Sequence, residues 1–264
     1  MMKLFQRIET AIILVVILIP IFVYGSWPLQ LAILFLACRG LFEILRMIDI
    51  PFFSLPSLLA HLSIAFIVFS DRLGPKLPTY LEVHHMIALM TLLMLISATV
   101  HQSFTFIDAG IAVLGIIYIG YGFYSMYYIR EQDGFLLILI VLATVISDTG
   151  AYLIGSFFGK HKLAPILSPN KTIEGSLGGV LASGFLIFII VSLFPFLPMT
   201  PVVGGFIAII IAIASQFGDL IESGMKREFN VKDTGTILPG HGGILDRFDS
   251  LIFATTLALI LGIV

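Results

Sequence analysis

The sequence predicts an all-α protein that crosses a membrane many times. Hydrophobic residues make up 59% of its 264 residues, charged residues only 11%, and the mean hydropathy is +1.10. Such a chain has too little polar material to cover a water-soluble globule. Its apolar runs lack the alternation of barrel strands, and backbone groups in lipid must be hydrogen-bonded within their own segment. The spans are therefore predicted to be helices.

Nine apolar runs approach the length of about 17 to 25 residues that crosses a hydrocarbon core. Lys3 and Arg7 precede the first run as they would in a signal peptide, but no small-residue cleavage site follows, so we expect a retained first helix. The predicted spans are Thr10–Tyr24, Pro28–Ile48, Phe52–Phe69, Val83–Val100, Phe106–Ile129, Phe135–Phe158, Thr172–Phe194, Pro201–Ser223 and Phe248–Val264.

The distribution of lysine and arginine predicts a cytoplasmic N-terminus. In that orientation only Arg72, Lys76 and Arg130 of the 14 basic residues lie outside, which agrees with the positive-inside rule. The two polar loops, after the sixth and eighth spans, then face the cytoplasm, where nucleotides are.

The positions of the polar loops also predict that the chain has two regions of different function. Residues 1–130 hold five spans and no chemical motif, so we expect a scaffold that faces lipid. Residues 131–264 hold four spans and both polar loops, so we expect the catalytic region there.

The sixth span carries an acid inside an apolar helix. A charged Asp148 at such a position costs about 3 kcal/mol by insertion scales unless it faces a cavity or a partner. It lies beside a stripe of small residues, which lets another helix approach closely. We therefore expect Asp148 to point into the bundle. The stripe consists of Ala143, Ser147, Ala151 and Gly155, and Gly175, Gly179 and Ser183 predict equally tight packing in the next helix.

A polar turn from Ser168 is predicted to open the seventh span. Ser, Thr and Asn cap helix starts, and the free amides and the helix dipole there favour an anion. Lys171 adds a positive charge, so Asn170, Lys171 and Glu174 are candidate substrate contacts. A plain helix cap by Thr172 or Asn170 is the alternative.

The second polar region begins inside the eighth span. Gln216, Asp219 and Ser223 are three and four residues apart and share one helical face. Asp246 and Asp249 share a face at the start of the ninth span. Carboxylates that converge from different helices suit a hard divalent cation that takes its remaining ligands from water and phosphate. Helix caps and interhelical ion pairs are the alternatives.

Basic residues and glycines fill the loop between these acids. Arginine binds phosphate bidentately, lysine neutralises it as a point charge, and glycines let backbone amides approach an anion. With the acids, these are the components of phosphoryl or nucleotidyl transfer, whereas a simple positive-inside loop is the alternative. The residues are Lys226, Arg227, Lys232, Asp233, His241 and Arg247, with Gly235, Gly240, Gly242 and Gly243.

Other residues point to structure or exclude partners. Glu43 and Arg46, three residues apart, predict an ion pair at a helix end. Cys38 is the only cysteine, so no internal disulfide can form. The net charge of −2, with aromatic residues spread along the spans, argues against a nucleic-acid partner.

The motif that ends at Asp249 resembles the signature of the phosphatidate cytidylyltransferase family, also called CDP-diacylglycerol synthases. The upstream segments SDTGAY and SPNKTIEGSLGG are similar to the family's pattern as well, so the motifs cover roughly Ser147 to Asp249. A long gapped motif is far more specific than a lone glycine-rich loop. The matching positions are Ser223, Lys226, Arg227, Lys232, Asp233, Pro239, His241, Gly242, Gly243, Asp246, Arg247 and Asp249.

The resemblance implies that CTP and phosphatidic acid react with Mg²⁺ to give CDP-diacylglycerol and pyrophosphate. As a hypothesis for the metal, we assign Asp219 and Asp246, with Asp148 and Asp249 as direct or outer ligands, and four carboxylates leave room for a second cation. The residues assigned to catalysis are Asp219, Asp246, Lys226, Arg227, His241 and Asp249. Those assigned to substrate binding are Asn170, Lys171, Glu174, Gln216, Lys232, Asp233, Gly242, Gly243 and Arg247.

The same resemblance implies a multi-pass protein of the cell membrane with its active site toward the cytoplasm. Membrane lipids are then partners, and the small-residue stripes suit a homodimer as well as internal packing. Two alternatives stay open. A related enzyme would act on another lipid phosphate, and an ion-coupled transporter would also place acids within spans. The transporter would not need the basic, glycine-rich loop, and the chain shows no inverted repeat.

Overall fold

The structure is a computed structural model that describes residues 16, 19–73, 82–100, 103–194, 197–237 and 242–263. Residues 19–24 are helical and precede the first full helix. The elements are α1 (Ser26–Met47), α2 (Leu55–Val68), α3 (Ser70–Leu73), α4 (Val83–Val100), α5 (Phe106–Gln132), α6 (Gly134–Phe158), β1 (Lys162–Ala164), β2 (Ser168–Thr172), α7 (Ile173–Leu193), α8 (Pro201–Glu228) and α9 (Leu245–Ile260).

The predicted class, a helical membrane protein, is confirmed, but the count of nine spans is not. Among the described residues, six helices are long and apolar enough to cross a membrane: α1, α4, α5, α6, α7 and α8. The third predicted span is the 14-residue helix α2, which at 1.5 Å per residue is about 21 Å long, short of the hydrocarbon core. The ninth is the 16-residue α9, and most of the first lies outside the described residues.

The chain divides into two compact units. The first comprises the described residues of Met1–Tyr127 and Val231–Arg247, and the second those of Tyr128–Asn230 and Phe248–Val264. The functional division of the chain at residue 130 stays a prediction.

Apolar contacts among α1, α2, α5 and the start of α9 build the core of the first unit. A methyl group added at Gly40 of α1 would lie 3.4 Å from Leu245 and 3.6 Å from Ile119. At Gly120 of α5 it would lie 2.7 Å from Ile67. The helices of this unit therefore approach closely where glycines replace larger side chains.

Small residues bring α6 and α7 together in the second unit, as their spacing predicts. A Cβ at Gly179 would lie 3.0 Å from the Ala151 methyl, and one at Gly155 would lie 3.5 Å from the Gly175 Cα. The Ser183 hydroxyl also donates to the Ala143 carbonyl across 2.9 Å. These stripes serve packing inside the chain.

Two local elements differ from the predicted turn and loop. The segment before α7 is not a simple turn but an antiparallel hairpin of β1 and β2, after which Thr172 caps α7 by accepting from the Gly175 N–H at 3.1 Å. Helix α8 runs on to Glu228 and does not end at Ser223. Lys226 and Arg227 are therefore helical and lie in the last turn of α8, where the helix dipole stabilises basic side chains.

Candidate active site

Three carboxylates meet in the second unit. Asp219 and Glu222 lie one turn apart on α8, Asp249 lies in the second turn of α9, and one oxygen from each lies within 4.8 Å of the others. Glu222 is buried, whereas Asp219 and Asp249 are partly exposed. The structure thus brings together Asp219 and Asp249 and adds a third acid to them.

A glycine allows the two helices to approach at this point. A Cβ on Gly218 would lie 2.5 Å from the Asp249 carbonyl oxygen and 2.9 Å from the Ser250 Cα. Both are backbone atoms, so no side-chain rotation relieves the clash. The position of Asp249 beside α8 therefore depends on the missing side chain of Gly218.

Two lysines neutralise this acidic cluster. The Lys171 ammonium, at the end of β2, pairs with the Asp219 carboxylate. The Lys226 ammonium lies 2.5 Å from Glu222, one turn earlier on α8. Asp148 is exposed, and its carboxyl interacts electrostatically with Asp219 and Lys171, so it faces charged partners in this unit. We call Asp148, Lys171, Asp219, Glu222, Lys226 and Asp249 the acid–lysine cluster.

The β1–β2 hairpin carries Lys171 to the cluster, and side chains fasten it at both ends. The Glu174 carboxylate accepts from the Lys160 N–H at 3.1 Å and from the His161 N–H at 3.2 Å, and it contacts His161 Nδ1 at 2.6 Å. At the turn, Arg227 Nε donates to the Leu167 carbonyl at 3.3 Å. Substrate roles for Glu174 and Arg227 stay predictions, and in this structure both hold the hairpin.

The Gln216 amide bridges three helices of the same unit. Its Nε2 donates to Ser147 Oγ at 3.2 Å and to the Ser176 carbonyl at 3.1 Å, while its carbonyl accepts from the Ser176 hydroxyl. Both ends of the amide are therefore used in packing α6, α7 and α8. A contact between Gln216 and a substrate stays a prediction, and it would compete with these bonds.

Asp246 lies in the first unit, at the start of α9. Its Oδ2 accepts from the Gly243 N–H at 2.8 Å and from the Thr234 N–H at 2.9 Å. Gly242 has a left-handed φ of 85°, which glycine adopts without strain. A Cβ there would lie 2.7 Å from the Asp246 carboxylate. The predicted metal role of Asp246 is not tested by this geometry.

The remaining predicted residues are accessible or lie outside the described residues. Asn170, Lys232, Asp233 and Arg247 are exposed, and their proposed contacts with a substrate stay predictions. His241 falls in the segment that the structure does not describe, and its role stays a prediction.

Two acids escaped the sequence reasoning. Glu222 shares a helical face with Asp219, and that spacing of three residues was the available signal. Glu43 was assigned to an ion pair with Arg46, which is wrong. Its side chain is buried and accepts hydrogen bonds from the segment before α9, while Arg46 is exposed. No local sequence pattern predicts these partners of Glu43, because they are distant from it in the sequence.

The spanning helices define the class of this protein, an integral membrane protein, and its second unit holds a cluster of carboxylates and lysines. Residues 5–264 match the cytidylyltransferase family. The phosphatidate cytidylyltransferase of Staphylococcus epidermidis strain ATCC 35984 is 39% identical over 255 residues, which are 97% of this chain and 97% of that protein. Proteins of the same name from Staphylococcus saprophyticus and Staphylococcus aureus strain COL are 38% and 37% identical over equal shares. The chain belongs to the cytidylyltransferase family and is a nucleotidyltransferase.

Proposed function

We propose that this protein transfers CMP from CTP to phosphatidic acid, giving CDP-diacylglycerol and pyrophosphate. The relatives at 37–39% identity carry that activity in their names and cover nearly the whole chain. The observation that carries the proposal in the structure is the acid–lysine cluster, because phosphate transfer needs both cation ligands and positive side chains. An ion-coupled transporter would not account for the family match.

The cluster fits a divalent cation such as Mg²⁺. Asp219, Glu222 and Asp249 offer three carboxylate oxygens within 4.8 Å of one another, the hard oxygen donors that Mg²⁺ prefers. We propose that these three hold the ion, with Asp148 nearby, and that the ion neutralises charge on the phosphates that react. A second cation remains part of the proposal, since Asp148 adds a fourth carboxylate.

The reaction requires little general acid–base catalysis by the protein. A phosphomonoester has a second pKa of about 6, so the lipid phosphate is largely a dianion at neutral pH. One of its oxygens attacks the α-phosphorus of CTP, the bond from that phosphorus to the bridging oxygen breaks, and pyrophosphate leaves with the electron pair. The chain's contribution is therefore to align two anions and to offset their repulsion.

The lysines of the cluster are suited to that alignment. Lys171 pairs with Asp219 from a hairpin and Lys226 pairs with Glu222 from a helix end, and their positive charge supports a proposed contact of both with phosphate oxygens. We also propose phosphate contacts for the exposed Lys232 and Arg247, and a reaction role for Asp246, on the strength of the sequence motif. His241 is kept as a proposed phosphate contact.

We propose that the protein lies in the cell membrane with this site open to the cytoplasm. The apolar helices and the bacterial relatives support a membrane location. The excess of basic residues in the loops of one side supports the orientation. CTP would then enter from the cytoplasm, and the lipid from the bilayer.

Labelled CTP tests the proposal on purified protein in detergent with phosphatidate and Mg²⁺. Label on the α-phosphate should appear in a lipid-soluble product, and label on the γ-phosphate should appear only in pyrophosphate. Replacing phosphatidate by an isoprenoid phosphate tests the closest rival, another lipid phosphate as acceptor. If no lipid captures the α-label under any divalent cation, the proposed function is wrong.

A further inference from the structure

Glu43 supplies a buried carboxylate to the segment that precedes α9 in the first unit. Its side chain lies in the last turns of α1 and the residue is only 1% exposed. Its Oε1 accepts from the Ile244 N–H at 2.8 Å, and its Oε2 accepts from the Leu245 N–H at 3.0 Å. Amides at a helix start have no partner within the helix, so Glu43 caps α9 from another helix.

The Thr234 hydroxyl links Glu43 to Asp246. Its oxygen lies 2.9 Å from Glu43 Oε2 and 2.9 Å from Asp246 Oδ2. Its single proton can be donated to only one of the two carboxylates at a time. Glu43 and Asp246 therefore share a hydroxyl, and the position of each depends on the other.

Two glycines make room for the Glu43 carboxylate. A Cβ at Gly235 would lie 2.5 Å from Glu43 Oε1, and a Cβ at Gly243 would clash with Glu43 Oε2 and with Thr234 Oγ1. Residues on both sides of the loop thus close around one buried acid. This lack of space explains why both positions are occupied by glycine.

We propose that Glu43 is a positioning residue for the reaction, one that holds Asp246 by fixing Thr234 and the start of α9. Glu43 touches no reacting group in this account, and it acts through the backbone amides of Ile244 and Leu245. The inference rests on the proposed function, because Asp246 matters only if its carboxylate serves the transfer.

The Glu43→Gln variant tests this role. Glutamine keeps one oxygen acceptor but replaces the other with an amide nitrogen, which cannot accept from Leu245. We expect kcat to fall by about ten- to a hundredfold and the half-saturating Mg²⁺ concentration to rise, as is typical when an outer partner of a ligand is lost. The KM for phosphatidate should change little. Amide exchange at Ile244 and Leu245 should quicken.

A matched glutamate and a threonine pair provide the controls. Glu131 pairs with Arg130 at the end of α5, so Glu131→Gln should leave kinetics and exchange within about twofold of the parent. Thr234→Val removes the shared hydroxyl and should reproduce the loss, whereas Thr234→Ser should restore most of it. If Glu43→Gln does not fold, the two Thr234 variants test the positioning role in its place.

The outcomes separate this inference from the proposed function. Parental kcat, Mg²⁺ dependence and amide exchange in Glu43→Gln would overturn the positioning role. A lower yield of folded enzyme with unchanged kinetics per folded molecule would also overturn it, because that result marks a purely structural residue. If the parent enzyme makes no lipid-linked nucleotide, the proposed function fails, while exchange at Ile244 and Leu245 still reports whether Glu43 holds the start of α9.

Discussion

Replacing Asp219 by asparagine is expected to lower kcat by about a hundred- to a thousandfold, the usual effect of removing one preorganised electrostatic contact. Asparagine keeps the shape but supplies no anionic oxygen, so the group that Asp219 forms with Glu222 and Asp249 loses one of its three carboxylates. The Lys171 ammonium also loses its carboxylate partner. Steady-state turnover of CTP over a range of Mg²⁺ concentrations measures the effect.

Asp49 provides the matched control for that substitution. It is exposed and has a left-handed φ of 56°, a conformation that asparagine adopts as readily as aspartate. Asp49→Asn should therefore turn over CTP like the parent enzyme. If purified, folded Asp219→Asn keeps near-parental kcat and Mg²⁺ dependence, the assignment of Asp219 to the cation is wrong.

The second large effect is expected from Gly218→Ala. The new methyl group would lie 2.5 Å from the Asp249 carbonyl oxygen, and relief requires α9 to move away from α8. Asp249 would then leave Asp219 and Glu222, so we expect activity to fall by about a hundredfold, which corresponds to about 2.7 kcal/mol. Overpacking of this kind should also lower stability by about 1–3 kcal/mol, visible as a lower midpoint of thermal unfolding in detergent.

Gly110→Ala is the control that separates the effect of the contact between α8 and α9 from the effect of replacing any glycine by alanine. Gly110 lies in helix α5, and a Cβ there meets no described atom within 4 Å. Alanine in a helix is favoured over glycine by about 0.5–1 kcal/mol, so this variant should be as stable as the parent or slightly more so. Equal activity in Gly218→Ala and Gly110→Ala would show that the close approach of α8 and α9 does not set the geometry of the cluster.

The fold class and five of the six residues of the acid–lysine cluster could be predicted from the sequence because both depend on local signals. The length of an apolar run indicates a spanning helix, and small residues at every fourth position correctly predicted the packing of α6 on α7. Asp219 and Asp249 could be recognised as candidates because ionisable groups are costly inside apolar helices. The short helix α2 is not among the helices long enough to cross a membrane, so the predicted count of nine spans is not confirmed among the described residues.

The contacts that sequence reasoning missed are distant in the chain. Glu43 meets Thr234 across 191 residues and Leu245 across 202, and no periodicity in either segment encodes that pairing. The nearby Arg46 suggested an ion pair with Glu43, but the Glu43 carboxylate accepts hydrogen bonds from the backbone amides of Ile244 and Leu245 instead. Glu222 was overlooked for a different reason: an acid near the end of a helix resembles an ordinary surface residue until its burial is known.

Binding of Mn²⁺ in place of Mg²⁺ tests the central claim, that Asp219, Glu222 and Asp249 hold a divalent cation, without reference to turnover. Titration of the purified protein, followed by the loss of the electron paramagnetic resonance signal of free Mn²⁺, reports bound metal directly. We expect at least one Mn²⁺ bound per parent chain, unchanged binding in Asp49→Asn, and binding weakened by about tenfold or more in both Asp219→Asn and Glu222→Gln. Parental Mn²⁺ affinity in both cluster variants would contradict the account.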